Sequence, residues 1–397
     1  VLKTQETIQS YPISLQNFGV STLAELVGDW VIYRSLEPLD RRLRGFKSAY
    51  YQMGFDEARI PRKLDPAYAK AAVWFLEQIQ AMRNAELREV LFIGDTLSGD
   101  GQAFRNILAV SGLPGSAFIG NEQAGEPVRF QVEEGIATAN RWSSLVEWLA
   151  WNLEQGRSLD QGAGVILDID KTLLGARGRN DQAIDRARLE GIYRTIDSIL
   201  GDDFDQALFE QHYHELNQPK HHNLTDDNQD YLAYICLVLN TGMIRYEELL
   251  EEMDKGCLNS FEQFTRWAET LILQGAVRNE AMRQVHEALM ASLRQGDPTP
   301  FKRFRREEFV ATLQHMNNLP DDIPAEERLA QEITITQEVR EAALWLKERG
   351  CLLLSMSDKP DEASVPHRTF HRGMPPIHRA PTHCVGVSIQ EELAKLG

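Results

Sequence analysis

Short apolar runs that end in polar or glycine-rich turns, separated by stretches with helical spacing, constrain this chain more than any other feature. The runs lie at 90–93, 116–119, 165–169, 351–354 and 383–387. A strand covered on both faces reads as a continuous apolar run rather than an alternation, which is the signature of a parallel sheet. Between the runs, Pro66–Met82 carries Val73, Phe75, Leu76 and Ile79 at helical spacing, and 142–153 shows the same period. The pattern over 337–349 stops at Gly350, where a left-handed helix cap belongs. Strands alternating with helices predict an α/β fold: a parallel, Rossmann-like sheet flanked by helices.

One segment breaks the alternation. From 173 to 350 helix signals run almost throughout, with Ile192, Ile196 and Ile199, then Phe261, Phe264 and Ala268, then Val285, Leu289 and Met290 at helical intervals. This predicts an all-helical domain inserted between two strands. The expected organisation is an N-terminal helical segment over 1–60, a first part of the core over 61–172, the helical insertion over 173–336, and a second part of the core over 337–397.

Composition narrows the partners. Forty-two Lys and Arg against fifty-nine Asp and Glu give a net charge of −17, which repels phosphate backbones and anionic membrane surfaces, so no nucleic acid is expected as a partner. No apolar stretch approaches the roughly 18–20 residues that span a bilayer. The opening VLKTQETIQS lacks the apolar core of a signal peptide, and a start at Val1 points to trimming. Cys236, Cys257, Cys351 and Cys384 form no CxxC pair, as expected of a reduced, cytoplasmic protein.

The chemistry concentrates where apolar runs end. GVILDIDKTL, at 164–173, is a strand that delivers Asp168 and Asp170 to the carboxyl edge of a sheet, where ligands of α/β folds bind. One carboxylate can attack a phosphoryl group and a second can protonate the leaving oxygen and then activate water, with Mg²⁺ offsetting the charge. VLFIGDTLSGDG, at 90–101, delivers Asp95 through a glycine turn, with Asp100 placed to hold the metal's surroundings or a lysine. Cys351-Leu-Leu-Leu-Ser355 delivers a hydroxyl, and Lys63 stands just ahead of a proline-started helix, placed to pair with the nucleophile. Ser357 is the alternative hydroxyl and Lys359 the alternative ammonium.

Taken together, these residues resemble the haloacid dehalogenase-like (HAD) superfamily of phosphotransferases. DIDKT matches its nucleophile motif, Ser355 its strand-end hydroxyl, Lys63 in KLDPAYAKA its lysine, and GDTLSGD its acidic metal motif. The family order is nucleophile, hydroxyl, lysine, acidic motif. Here it is Lys63, Asp95, Asp168, Ser355, a cyclic rotation, so the chain resembles a circularly permuted member with the insertion in the cap position. The resemblance implies an Mg²⁺-dependent phosphohydrolase of a small phosphorylated metabolite that works through an aspartyl phosphate. Asp168 is then the nucleophile, Asp170 the acid/base and Thr172 the residue that fixes the loop. Ser355 and Lys63 hold the phosphoryl oxygens, and Asp168, Asp170, Asp95 and Asp100 form the metal set. The insertion would cover the site and set specificity. A phosphotransferase or mutase uses the same residues, and a binding protein that kept the fold without turnover is the alternative class.

Weaker signals have plainer readings. His212, His214, His221 and His222 lack an acidic or cysteine partner at metal-site spacing and read as a solvated cluster. PFKRFRREEF, at 300–309, reads as a solvated helix face paired with nearby glutamates. Arg368, Arg372, His378 and Arg379 follow the strand that ends at Ser355 and either line an entrance or sit on an ordinary loop. Trp142, Trp148 and Trp151 read as core packing.

Overall fold

The computed structural model describes residues 14–276 and 279–397. The opening VLKTQETIQS lies outside them. The strands are β1 (Gln16–Ser21), β2 (Val31–Ile32), β3 (Glu89–Gly94), β4 (Gly115–Gly120), β5 (Phe130–Glu133), β6 (Ile136–Ala139), β7 (Ala163–Leu167), β8 (Ile335–Thr336), β9 (Leu352–Met356) and β10 (Thr382–Gly386). The chain forms two compact units. One comprises residues up to Arg186, Thr312–Val365 and Gly373–Gly397, and the other Ala187–Ala311 with Pro366–Arg372.

In the first unit seven strands form a sheet in the order β2-β9-β7-β3-β4-β6-β5. All neighbours are parallel except β5, which returns antiparallel along β6. Every residue of β3, β4, β7 and β9 is buried, which is why these strands are legible as unbroken apolar runs. Helix Pro66–Met82 buries Val73, Phe75, Leu76 and Ile79 in the same cluster as Val90, Phe92, Ile166, Leu352 and Leu354. Phe75 and Leu76 are fully buried, and each such side chain contributes about 1.5–3 kcal/mol relative to exposure. Ala69, Ala71 and Ala72 on that helix are buried as well. Trp142 and Trp148 pack at 6.1 and 6.0 Å from the Phe118 ring, and Gly120 has no room for a Cβ beside Trp142, so these tryptophans are core residues. Gly350 has φ 92°, in the left-handed region, and stops helix Gln337–Glu348 as expected.

Three expectations change. The run at 383–387 does not extend the main sheet beyond the 351–355 strand: β10 lies in a separate sheet, order β1-β10-β8, antiparallel to β1 and parallel to β8. The place beside β9 is taken by β2, where Val31 pairs with Ser355 and Ile32 with Met356. A buried strand announces its burial in sequence but not its neighbour. Nor is the segment 1–60 a helical one: its described part supplies β1 and β2 alongside only two short helices, Leu23–Val27 and Phe46–Ala49.

The insertion is also narrower than 173–336. Thr336 N donates to Leu173 O at 2.9 Å, Gly175 N donates to Thr334 O at 2.9 Å, and β8 pairs with β10, so both ends of the expected insertion belong to the sheet-bearing unit. The second unit is helical among the described residues. Its core contains Ile192, Ile196, Ile199, Phe261, Phe264, Ala268, Val285 and Leu289 with Met290 packed against it, the same positions that carry the helical period.

Candidate functional site

Two parallel neighbours build the site. β7 ends at Leu167 and hands Asp168 to the carboxyl edge, where Asp168 N donates to Ile93 O of β3 at 3.0 Å. Beyond it the chain turns tightly: Leu173 N and Leu174 N donate to Asp168 O and Ile169 O at 3.3 and 2.9 Å, and Lys171 takes a left-handed φ of 65°. β3 hands over Gly94 and Asp95. The single π-helical turn Leu97–Gly101 then folds Asp100 back over the strand end. A Cβ on Gly94 would stand 2.5 Å from Asp100 Cγ, so glycine is required for this return.

Asp100 Oδ2 accepts from Asp95 N and Thr96 N, each at 2.9 Å, and from Thr96 Oγ1 at 3.2 Å. Its Oδ1 lies 2.5 Å from Lys63 Nζ, and the same ammonium donates to Asp168 Oδ1 at 2.7 Å. Lys63 therefore bridges the two acidic segments from a loop closed by Arg62 N donating to Asp65 Oδ2 at 2.7 Å, just before Pro66 starts its helix. Asp95 pairs through Oδ2 with Arg177 Nε. Asp95, Asp100 and Asp168 are buried, and each offers a carboxylate oxygen within 4.8 Å of the other two. Among the described residues no other cluster of three acidic, histidine or cysteine side chains meets this distance.

The electrostatics follow from burial and crowding. Burial pushes the Asp168 carboxyl well above the usual carboxylate range; Lys63 opposes the rise while Asp100 and Asp95 add to it. Asp95 is pushed up to about 7 by burial and by the Asp100 charge, against the pull of Arg177. Burial would raise Asp100 too, but Lys63, Asp95 and the Thr96 amide bring it down to about 2. Lys63 is held well above its ordinary value, since Asp100 and Asp168 outweigh the cost of burying its charge. Three carboxylates thus face two cations, Lys63 and Arg177, within one buried cluster.

The remaining expected residues divide. Asp170, expected among the metal ligands, adds no oxygen to the three-carboxylate cluster; its Oδ1 faces Lys359 Nζ at 3.4 Å. Two residues past Asp168, and beyond the end of β7, it has left the direction in which Asp168 points. Ser355 is in register with Leu167 and donates its hydroxyl to Leu167 O at 2.9 Å, so its proton is used within the sheet. Ser357, past the end of β9, is buried and accepts from Lys359 N at 3.2 Å, an arrangement that leaves its own proton available. Thr172 is fully buried and its carbonyl accepts from Thr336 Oγ1 at 2.5 Å, which ties the loop to β8; its hydroxyl is without a partner.

Three contributors escaped the sequence reading. Arg177 has no motif of its own, its only signal being the basic GARGR run that follows the DIDKT loop. Thr96 holds Asp100 through its amide and hydroxyl. Arg34, buried, donates to Pro61 O at 2.6 Å and pairs with Asp358 at 3.3 Å, joining the Lys63 loop to the Lys359 loop. The weaker signals settle as structural features. The histidines are not all solvated: His212 is buried and stacks on Tyr246 at 4.6 Å, and His221, also buried, lies 3.6 Å from Glu215, while His222 lies 3.6 Å from Asp227. The basic run is not a solvated face: Arg305 is buried against Asp230 and Glu308, among buried Phe301, Phe304 and Phe309. His378 and Arg379 both bind Asp29, at 3.0 and 2.7 Å, while Arg368 and Arg372 belong to the helical unit. Comparison with protein-family models, with curated proteins and with solved structures finds no match for this chain.

Proposed function

We propose that the chain is an Mg²⁺-dependent phosphohydrolase of a small phosphomonoester, built as a circularly permuted relative of the HAD superfamily. The observation that carries this reading is Lys63 bridging Asp100 and Asp168 at the carboxyl ends of two adjacent parallel strands. The pairing of β3 with β7, and of β7 with β9, supports the permuted order of motifs. Asp168 attacks phosphorus as the ester P–O bond breaks, leaving an aspartyl phosphate. Asp170 gives its proton to the departing oxygen and later takes one from the attacking water. Lys63 keeps the nucleophile oriented and neutralises charge that grows on the phosphoryl oxygens. Ser357, whose proton is available, serves as the hydroxyl donor in place of Ser355.

Mg²⁺ takes hard oxygen ligands, and the buried set of Asp95, Asp100 and Asp168 fits that chemistry. When bound, it would offset the excess negative charge of the cluster and polarise the phosphoryl oxygens. Four free cysteines, and no helix long and apolar enough to cross a membrane among the described residues, are compatible with a reducing, cytoplasmic setting. The test is phosphate release from a panel of small phosphomonoesters with Mg²⁺ and again with EDTA, joined to trapping with beryllium fluoride. Turnover that requires Mg²⁺, with a beryllium fluoride adduct on the Asp168 carboxylate, is expected; equal release with and without the metal overturns the proposal.

A further inference from the structure

Beside Asp95 the carboxyl ends of β3, β4 and β6 open into a cavity of about 360 Å³. That lies at the small end of the range for ligand pockets, the size that suits a single small ring rather than a dinucleotide. Asp95 belongs to both the carboxylate cluster and the cavity wall, so a group bound here adjoins the reacting centre. Apart from Asp95 and Arg129 the lining is neutral and polar, with Asn121, Gln123, Gln131 and Thr138, and Leu97 and Ile119 supply apolar surface. Asn121, Gln131 and Thr138 form no side-chain hydrogen bond within the protein, whereas Arg129, the one cation of the wall, is neutralised by Glu126 and bound to Gln123 Oε1 at 2.6 Å.

The wall is also rigid. Buried Arg141 donates to Gln123 O at 2.7 Å, to Ala124 O at 3.2 Å and to Glu126 O at 2.6 Å, and Asn140 accepts from Arg129 N at 2.7 Å while donating to Pro127 O at 2.8 Å. A loop pinned at five points is ordered before any ligand arrives, which reduces the entropy lost on binding. Unpaired amides offer a donor and an acceptor side by side, the complement of vicinal hydroxyls, and the apolar patch suits the C–H face of a ring.

We infer that this cavity binds the neutral polyhydroxylated part of the substrate, a monosaccharide or a polyol of similar size, while the phosphoryl group lies at Asp168. The inference rests on the phosphohydrolase reading for its phosphoryl end only. It makes the sheet-bearing unit itself a determinant of specificity.

The experiment measures kcat/KM for hexose 6-phosphates and pentose 5-phosphates against 4-nitrophenyl phosphate, in the wild type and in the Asn121→Ala/Gln131→Ala double variant. Both side chains are exposed and unbonded, so the variant keeps the fold. Saturation-transfer NMR with free glucose, mannose and ribose is run on both proteins. The ratio of sugar-phosphate to aryl-phosphate kcat/KM is expected to fall by about tenfold or more, as losing one or two hydrogen bonds to the sugar requires. Sugar esters hydrolysed with that ratio unchanged overturn the inference and leave the phosphohydrolase standing. If no phosphoester reacts but free sugar contacts are seen and vanish in the double variant, the cavity assignment stands and the phosphohydrolase reading falls. Neither hydrolysis nor sugar contact overturns both.

Discussion

Two of the buried charge clusters, one in each unit, are built to opposite ends. In the helical unit Asp230 Oδ2 accepts from Arg305 Nε and Nη2 at 2.8 and 2.5 Å, its Oδ1 accepts from Phe301 N at 3.0 Å, and Glu308 binds both Arg305 and Arg188. Two acids meet two cations. In the sheet-bearing unit Asp95, Asp100 and Asp168 meet only Lys63 and Arg177. Burial pushes the carboxyl upward at Asp230 as well as at Asp168, so burial alone does not mark a functional centre. Excess charge alone does not mark one either, since the buried Arg179 side chain binds both Glu122 and Glu338. The distinguishing property is that three carboxylates converge at the ends of adjacent strands, which costs stability unless a cation or a reacting group completes the cluster. Charge that is balanced and fully hydrogen-bonded holds helices together; charge left over at the end of a strand is available for chemistry.

The largest expected effect comes from breaking the proposed nucleophile. Asp168→Asn should lower Mg²⁺-dependent phosphate release by about four orders of magnitude, because an amide neither attacks phosphorus nor carries the charge a metal needs. Its circular dichroism should stay native. Turnover within tenfold of the wild type would remove the functional half of the contrast.

In the helical cluster the cost should fall on stability instead. Arg305→Ala leaves Asp230 buried without its cation and Glu308 with Arg188 alone, and is expected to destabilise by about 3–5 kcal/mol in denaturant titration. A loss below about 1 kcal/mol would show that the pair is not the structural tie its geometry describes.

A smaller effect separates the two lysines. Lys63, between Asp100 and Asp168, should cost more than about tenfold in rate when changed to alanine, and Lys359, facing Asp170, less. The reverse ranking, measured as kcat, would move the nucleophile's partner to the other side of the sheet edge.

The smallest effect is a pH dependence. An aspartate whose folded value is about 7, above its unfolded value near 4, binds more protons in the folded state between those limits. Metal-free protein should therefore lose stability as pH rises from about 4 to about 7, and Asp95→Asn should flatten that slope. Thermal melts of EDTA-treated protein across this interval decide it, and a slope unchanged in the variant would assign the excess charge elsewhere.

Much of the centre was legible because the buried parallel strands write themselves as apolar runs that stop at the carboxyl edge of the sheet. β3, β7 and β9 were read within a residue or two of their ends, and Asp95, Asp100, Asp168 and Lys63 came with them. Arg177 was not legible, since its role is a contact with Asp95 across 82 positions of sequence. The choice between Ser355 and Ser357 was equally closed to inspection: two residues separate them, and only the register of Leu167 against Ser355 shows which hydroxyl is spent inside the sheet.

Local chemistry is written along the chain and spatial partnership is not. Apolar runs and periodicity determined the buried strands β3, β4, β7, β9 and β10 and the longer helices, but not β1, β2, β5, β6 or β8, and the residue types at strand ends determined that carboxylates and hydroxyls would meet the carboxyl edge. Tertiary structure alone decided that two residues, Val31 and Ile32, take the place beside β9, and that β10 instead joins β1 and β8. It also decided that the compact helical unit runs from Ala187 to Ala311 with Pro366–Arg372 added. Strand neighbours are joined by backbone hydrogen bonds that every residue type but proline can both donate and accept, so their identity leaves almost no trace in sequence.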